Sequence, residues 1–112
     1  MRKRERVNLI MRNIDVINSF VERDFNYPKV KTRNLHINCI DNCNLVLINY
    51  STPIAFLDCT KIPFKLYINA TKYSQTTSTI QNKLRYTAKQ HFTEECITEV
   101  QEDQLFNIIH NS

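Results

Sequence analysis

No glycine occurs anywhere in the 112 residues. That absence constrains the chain more than any motif in it. The phosphate loop, the dinucleotide-binding turn and the nucleophile elbow all need a residue without a Cβ, to reach positive φ cheaply or to let backbone approach a ligand. None of them can be built here, and the enzyme classes that depend on them are set aside. Tight hairpins must instead put Asn or Asp at positive φ. Asp41-Asn42 and Asn44 stand where such a turn is needed.

A chain of this length predicts one domain, residues 1–112, with a single modest core. No apolar run approaches a membrane span. The opening MRKRERVNLI lacks the continuous apolar segment of a secretory signal. A cytoplasmic protein without membrane contact is expected.

Periodicity supplies the elements. Val7, Ile10, Ile14, Ile17 and Val21 recur at spacings of three and four, with Met11 and Phe20 widening the stripe, and predict an amphipathic helix within residues 1–27. Arg12, Asn13, Asp15, Ser19, Glu22 and Arg23 take its outer face, and Pro28 ends it. The stripe is wide for so small a domain, so a homodimer through Val7–Val21 is plausible on the sequence. The cluster Arg2, Lys3, Arg4 and Arg6 sits at the helix start, where the dipole disfavours cations. It is either frayed and solvated or used on an anionic partner.

Residues 34–112 read as an α+β core. Leu35, Ile37 and Cys39 alternate with His36, Asn38 and Ile40 as a half-buried strand. Leu45 to Tyr50 is nearly all apolar and reads as a central strand. Ser51-Thr52-Pro53 interrupts it as a bend or bulge, and Ile54 to Leu57 resumes. Phe64, Leu66 and Ile68 share one face of a further strand. Residues 92–100 fit a short edge strand or a helix capped by Thr93. Leu105, Phe106, Ile108 and Ile109 line a short terminal helix. The expected architecture is a small antiparallel sheet of three to five strands, packed by the amino-terminal helix, a central basic helix and a short carboxy-terminal helix.

The central helix begins in the run KYSQTTSTIQNKLR, residues 72–85. Ser78 and Gln81 fit a capping box, which starts the helix at Thr79. Ile80, Leu84 and Ala88 form its buried stripe, so Gln81, Asn82, Lys83, Arg85 and Lys89 face outward. Charge is laid down in blocks. Residues 61–91 carry six Lys/Arg and no acid, whereas residues 92–112 carry five Asp/Glu and no base. The acid-free block, interleaved with Tyr67, Tyr73 and Tyr86, suits phosphate contact. The same block also reads as a face that pairs with the acidic tail of its own fold, and that reading is preferred. The binding residues expected from charge are Arg2, Lys3, Arg4, Arg6, Lys72, Tyr73, Gln81, Asn82, Lys83, Arg85 and Lys89.

Catalytic and metal readings are weaker. His36, Cys39, Cys43 and Cys59 have only a loose zinc spacing, without a C-x-x-C pair, and Cys39 is explained as a small strand residue. No metal, disulfide or cofactor is expected. Cys96 with His91 is a conceivable nucleophile and base, and Tyr73 a conceivable strand-cleaving nucleophile. Nothing in the sequence activates either one, and no enzyme is expected.

Two runs carry a resemblance. In NLVLINYSTPIAFLD, residues 44–58, the pattern N-Y-x-T-x-I-A is formed by Asn49, Tyr50, Thr52, Ile54 and Ala55. In LYINATKYSQTTSTIQNKLR, residues 66–85, Lys72, Tyr73, Ser74, Thr76, Thr77, Ser78, Asn82 and Leu84 form K-Y-S-x-T-T-S-x-x-x-N-x-L. With the tail TEVQEDQLFNII, residues 35–109 resemble a small domain of unknown function found in phages and other mobile elements of low-GC Gram-positive bacteria. The amino-terminal helix lies outside the resemblance. Proteins from such a setting imply two readings. One is a non-catalytic inhibitor that binds a host protein or nucleoprotein complex, of the anti-CRISPR kind. The alternative is a basic DNA- or RNA-binding accessory or regulatory protein.

Overall fold

The computed structural model describes residues 12–23, 31–41 and 44–111. Its elements are α1 (Asn13–Glu22), β1 (Leu35–Ile40), β2 (Asn44–Asn49), β3 (Thr52–Asp58), β4 (Lys65–Asn69), α2 (Gln75–His91), a 3-10 turn (Glu94–Cys96), β5 (Ile97–Val100) and α3 (Glu102–His110). The five strands form one sheet in sequence order. The class is α+β, but the sheet is mixed rather than antiparallel throughout. Strands β1 to β4 are an antiparallel meander, and β5 runs parallel to β4, with Leu66 opposite Ile97 and Asn69 opposite Val100. The cause is connectivity. A parallel neighbour needs a long crossover, and α2 supplies it.

Alternation assigns the two sheet faces. One carries Leu35, Leu45, Leu47, Ala55, Leu57, Leu66 and Ile68, all buried beneath α1 and α2. The other carries Val46 and Phe56, covered by Leu105 of α3 with Tyr67, Val100 and Ile109 at its margin. The Phe56 and Tyr67 rings stack there at 6.2 Å.

The break expected at Ser51–Pro53 is a hairpin instead of an interruption. β2 and β3 are joined by Tyr50-Ser51, and Tyr50 takes φ 58°. Asp41 takes φ 61° after β1, as the lack of glycine requires. The bulge falls two residues beyond the hairpin. Leu47 pairs with Ala55 and Ile48 with Pro53, so Ile54 is the extra residue, and it joins Ala55 in the same core. The Pro53 carbonyl receives the Asn69 Nδ2 amide at 2.9 Å.

Helix α1 stops earlier than Pro28. Arg23 takes the left-handed conformation, φ 55°, and its amide returns to the carbonyls of Phe20 and Ser19. At the other end, the Asp15 carboxylate accepts the Arg12 amide at 2.9 Å. Arg12 carries only donors and cannot return the favour. Ser19, expected outside, is buried with Val16, Ile17, Phe20 and Val21. The helix packs on α2 as well as on β1 and β2, so its inward arc is broad. Of the proposed dimer stripe, Ile17, Phe20 and Val21 are therefore used inside the fold and Ile14 is half-buried, while Val7, Ile10 and Met11 lie outside the described residues.

Residues 92–100 hold the edge strand, not a helix capped by the Thr93 side chain. Thr93 precedes the 3-10 turn, which passes directly into the edge strand β5. Among the described residues, no helix is long and apolar enough to cross a membrane.

Candidate binding face on the second helix

Helix α2 begins one turn before the expected capping box. Ser74 is the N-cap, its hydroxyl accepts the Thr77 amide at 3.3 Å, and the Ser78 amide closes onto the Ser74 carbonyl at 2.9 Å. Two cap sequences lie four residues apart, and tertiary contacts choose between them. Thr77 Oγ1 accepts the Asn49 Nδ2 amide at 2.9 Å from strand β2. Gln81 cannot reach back to Ser78, because its Nε2 donates to the carbonyls of Asn69 at 2.7 Å and Thr71 at 3.0 Å. Gln81 is only 3% exposed. Its expected outward role is thus corrected: it bolts α2 to the end of β4.

The other expected binding residues separate into groups. Arg2, Lys3, Arg4 and Arg6 lie outside the described residues. Lys72 is exposed in the loop before α2. Tyr73 is half-buried, and its hydroxyl accepts Asn69 Nδ2 at 3.0 Å. Burial first, and then the neighbouring Glu102 charge, push its phenol above the ordinary tyrosine range despite the Asn69 bond. Arg85 is partly covered and committed, with Nε on Glu99 at 3.0 Å and Nη1 on Asn82 Oδ1 at 3.0 Å. This is a direct pairing of the basic block with the acidic tail.

Asn82, Lys83 and Lys89 are exposed. Between the lysines stands Tyr86, with 69% of its surface exposed. Gln75, Thr76, Thr79 and Gln90 complete the outer face of α2, which carries no acid. Among the described residues, neither Lys83 nor Lys89 has an ion-pair partner. Tyr86 was noted within the basic block but was absent from the expected binding residues. The signal for it was periodicity, because Tyr86 lies two residues past Leu84, on the far side of the helix. Tyr67 and Tyr73, its companions in the basic block, turn inward.

A cleft of about 540 Å³ borders this face, lined by Lys89, Phe92, Glu94, Ile97 and Glu99. Its two glutamates end the basic surface on the β5 side. A second cleft, of about 510 Å³, lies over the sheet near α3 and includes Asp58 and Lys61. Asp58 is already bound to the Thr60 amide and hydroxyl and to Lys61 Nζ at 3.0 Å.

Of the residues considered for chemistry, Cys96 and His91 each have another partner. Cys96 is buried, and its sulfur accepts the Thr93 hydroxyl at 3.3 Å. His91 faces the Thr87 carbonyl at 3.1 Å and Glu22 at 3.3 Å, a link between the ends of α2 and α1. His36 and Cys39 point to opposite faces of β1, so one ion cannot hold both. Cys43 lies outside the described residues. Among the described residues, no group of three or more His, Cys, Asp or Glu is placed to hold a metal. Comparison with protein families, with curated proteins and with solved structures gave no match.

Proposed function

We propose that this chain is a non-catalytic binding protein that docks on a host nucleoprotein complex through the outer face of α2 and obstructs it. The observation that carries the reading is the placement of Tyr86 on a helix face without acidic residues, between Lys83 and Lys89, which have no ion-pair partner among the described residues. Lysines without partners keep their full charge for an anionic surface, and a projecting aromatic supplies contact area at low entropic cost. The side chains that hold the fold together, Asn49, Asn69, Thr77 and Gln81, are turned away from this face. The resemblance of residues 35–109 to a mobile-element domain points to the same class of partner, in the host cytoplasm.

The test is affinity capture from host extract with the intact chain and with the Lys83→Glu/Lys89→Glu variant. One defined complex, retained after digestion of free nucleic acid and released by the double substitution, is the expected result. Recovery of bulk nucleic acid alone, lost at high salt, would replace this reading with that of a general DNA- or RNA-binding accessory protein.

A further inference from the structure

We infer that the outer face of α2 takes an unpaired nucleic-acid strand, with Tyr86 stacking on a base and Lys83 and Lys89 holding the flanking phosphates. The inference rests on reading that face as the docking surface, and it names what docks there.

Three features of the face select this partner. The first is position. Lys83 and Lys89 stand three residues before and three after Tyr86, where helical neighbours lie about 5–6 Å apart at Cβ. The two ammonium groups therefore bracket the ring along the helix axis. That matches a strand whose base lies on the ring while its backbone runs past on both sides.

The second is what surrounds the ring. Thr79, Asn82 and Gln90 are its polar neighbours, and Tyr86 is the one large apolar side chain exposed on α2. A protein interface centres on a desolvated apolar patch, and this face has none. Base stacking needs only one aromatic surface and gives sequence-tolerant binding. Asn82 and Gln90, four residues to either side, carry amides suited to base edges. Asn82 Oδ1 is held by Arg85, which leaves its Nδ2 donor for the strand.

The third argues against duplex. Bases in a duplex are already stacked and cannot lie on Tyr86 without being extruded. Groove readout leans on arginine forks to guanine, and the single arginine of α2, Arg85, is occupied by Glu99 and Asn82.

The experiment is fluorescence anisotropy with labelled oligo-dT, oligo-rU and a hairpin duplex, using the intact chain and three surface variants. Both single strands should bind at low salt, with the duplex at least about tenfold weaker. Tyr86→Phe should bind as the parent does, and Tyr86→Leu about 5- to 100-fold weaker. Lys83→Gln/Lys89→Gln should flatten the slope of log affinity against log salt by about 1.4, the single-strand value for two phosphates. The dT and rU arms show whether DNA or RNA is preferred. Equal binding of the duplex, or an unchanged Tyr86→Leu, would overturn the inference. So would an absence of oligonucleotide binding while capture of the complex still depends on Lys83 and Lys89, a result that leaves the docking face standing. Capture indifferent to Lys83→Glu/Lys89→Glu would overturn both.

Discussion

The Gln81 side chain, in the middle of a basic helix, donates from Nε2 to the main-chain carbonyl of Asn69 at 2.7 Å. The same nitrogen reaches the Thr71 carbonyl at 3.0 Å. The carbonyl of Asn69, at the end of β4, and that of Thr71, just beyond it, thus both accept a bond from the helix inside the fold.

Gln81→Ala should therefore cost about 1–3 kcal/mol, the usual loss when buried acceptors are left unmade. Urea unfolding measures it. Binding by the fraction that remains folded should not change. Lys83→Gln should show the reverse pattern, with unfolding within about 0.5 kcal/mol of the parent and binding weakened.

Asn49 and Thr77 form the second bolt between sheet and helix, at 2.9 Å, and Asn49 Oδ1 also accepts Asn34 Nδ2 at 3.0 Å. Asn49→Ala and Thr77→Val should each destabilise by about 1–3 kcal/mol. Because they remove the same bond, the double variant should lose less than the sum, with a coupling of at least about 0.5 kcal/mol. Strict additivity in a double-mutant cycle would show that the bond contributes nothing of its own.

Tyr50 is an aromatic residue at φ 58° that is 65% exposed. The left-handed region costs an ordinary residue roughly 1–2 kcal/mol, and Asn tolerates it better. Tyr50→Asn should raise the midpoint of thermal unfolding, by the equivalent of about 0.5–1 kcal/mol. A lower midpoint would mean that the Tyr50 ring packs usefully despite its exposure.

Much of this arrangement was legible in the residues themselves. Strands at Leu35–Cys39, Leu45–Tyr50 and Phe64–Ile68 followed from alternation and from the apolar run, but the hairpin that turns Ile54–Leu57 into a strand of its own did not. Asp41 at positive φ followed from the want of glycine. The parallel placement of β5 did not follow, because strand direction depends on where α2 delivers the chain and not on the pattern of Ile97–Val100. The start of α2 was misplaced because Ser74 and Ser78 are both sound caps, and long-range bonds from Asn49 and Asn69 decide between them. The same bonds explain the site residues that changed role. Gln81 carries a polar label whichever way it points, and Arg85 could be assigned to Glu99 only once β5 lay beside α2. Tyr86 was readable from helical phase, but charge drew attention to the lysines around it.

Asp58 ties the outcome to pH. Burial alone would raise its carboxyl, but hydrogen bonds from Thr60 and Lys61, with the Lys61 charge, outweigh that and hold it below the ordinary carboxylate range. Asp15 is lowered as well, chiefly by the Arg12 amide. A depressed carboxylate contributes stability that is present above its unfolded value and lost as pH falls through the folded one. Stability should thus decline below about pH 4. Asp58→Asn should be less stable than the parent near neutrality and should show a shallower acid limb. Denaturant unfolding between pH 2 and 7 checks both, and parallel acid limbs would remove Asp58 from the account.

The outer face of α2 is the proposed seat of the partner. The direct measurement is site-specific photocrosslinking, with the reactive group placed in turn at Thr79, Asn82 and Gln90 around Tyr86, and at Lys61 and Asp103 as controls remote in sequence. Adducts to the captured complex from the three α2 positions, and none from the two controls, are predicted. Adducts confined to Lys61 or Asp103 would contradict the claim and move the docking surface off α2.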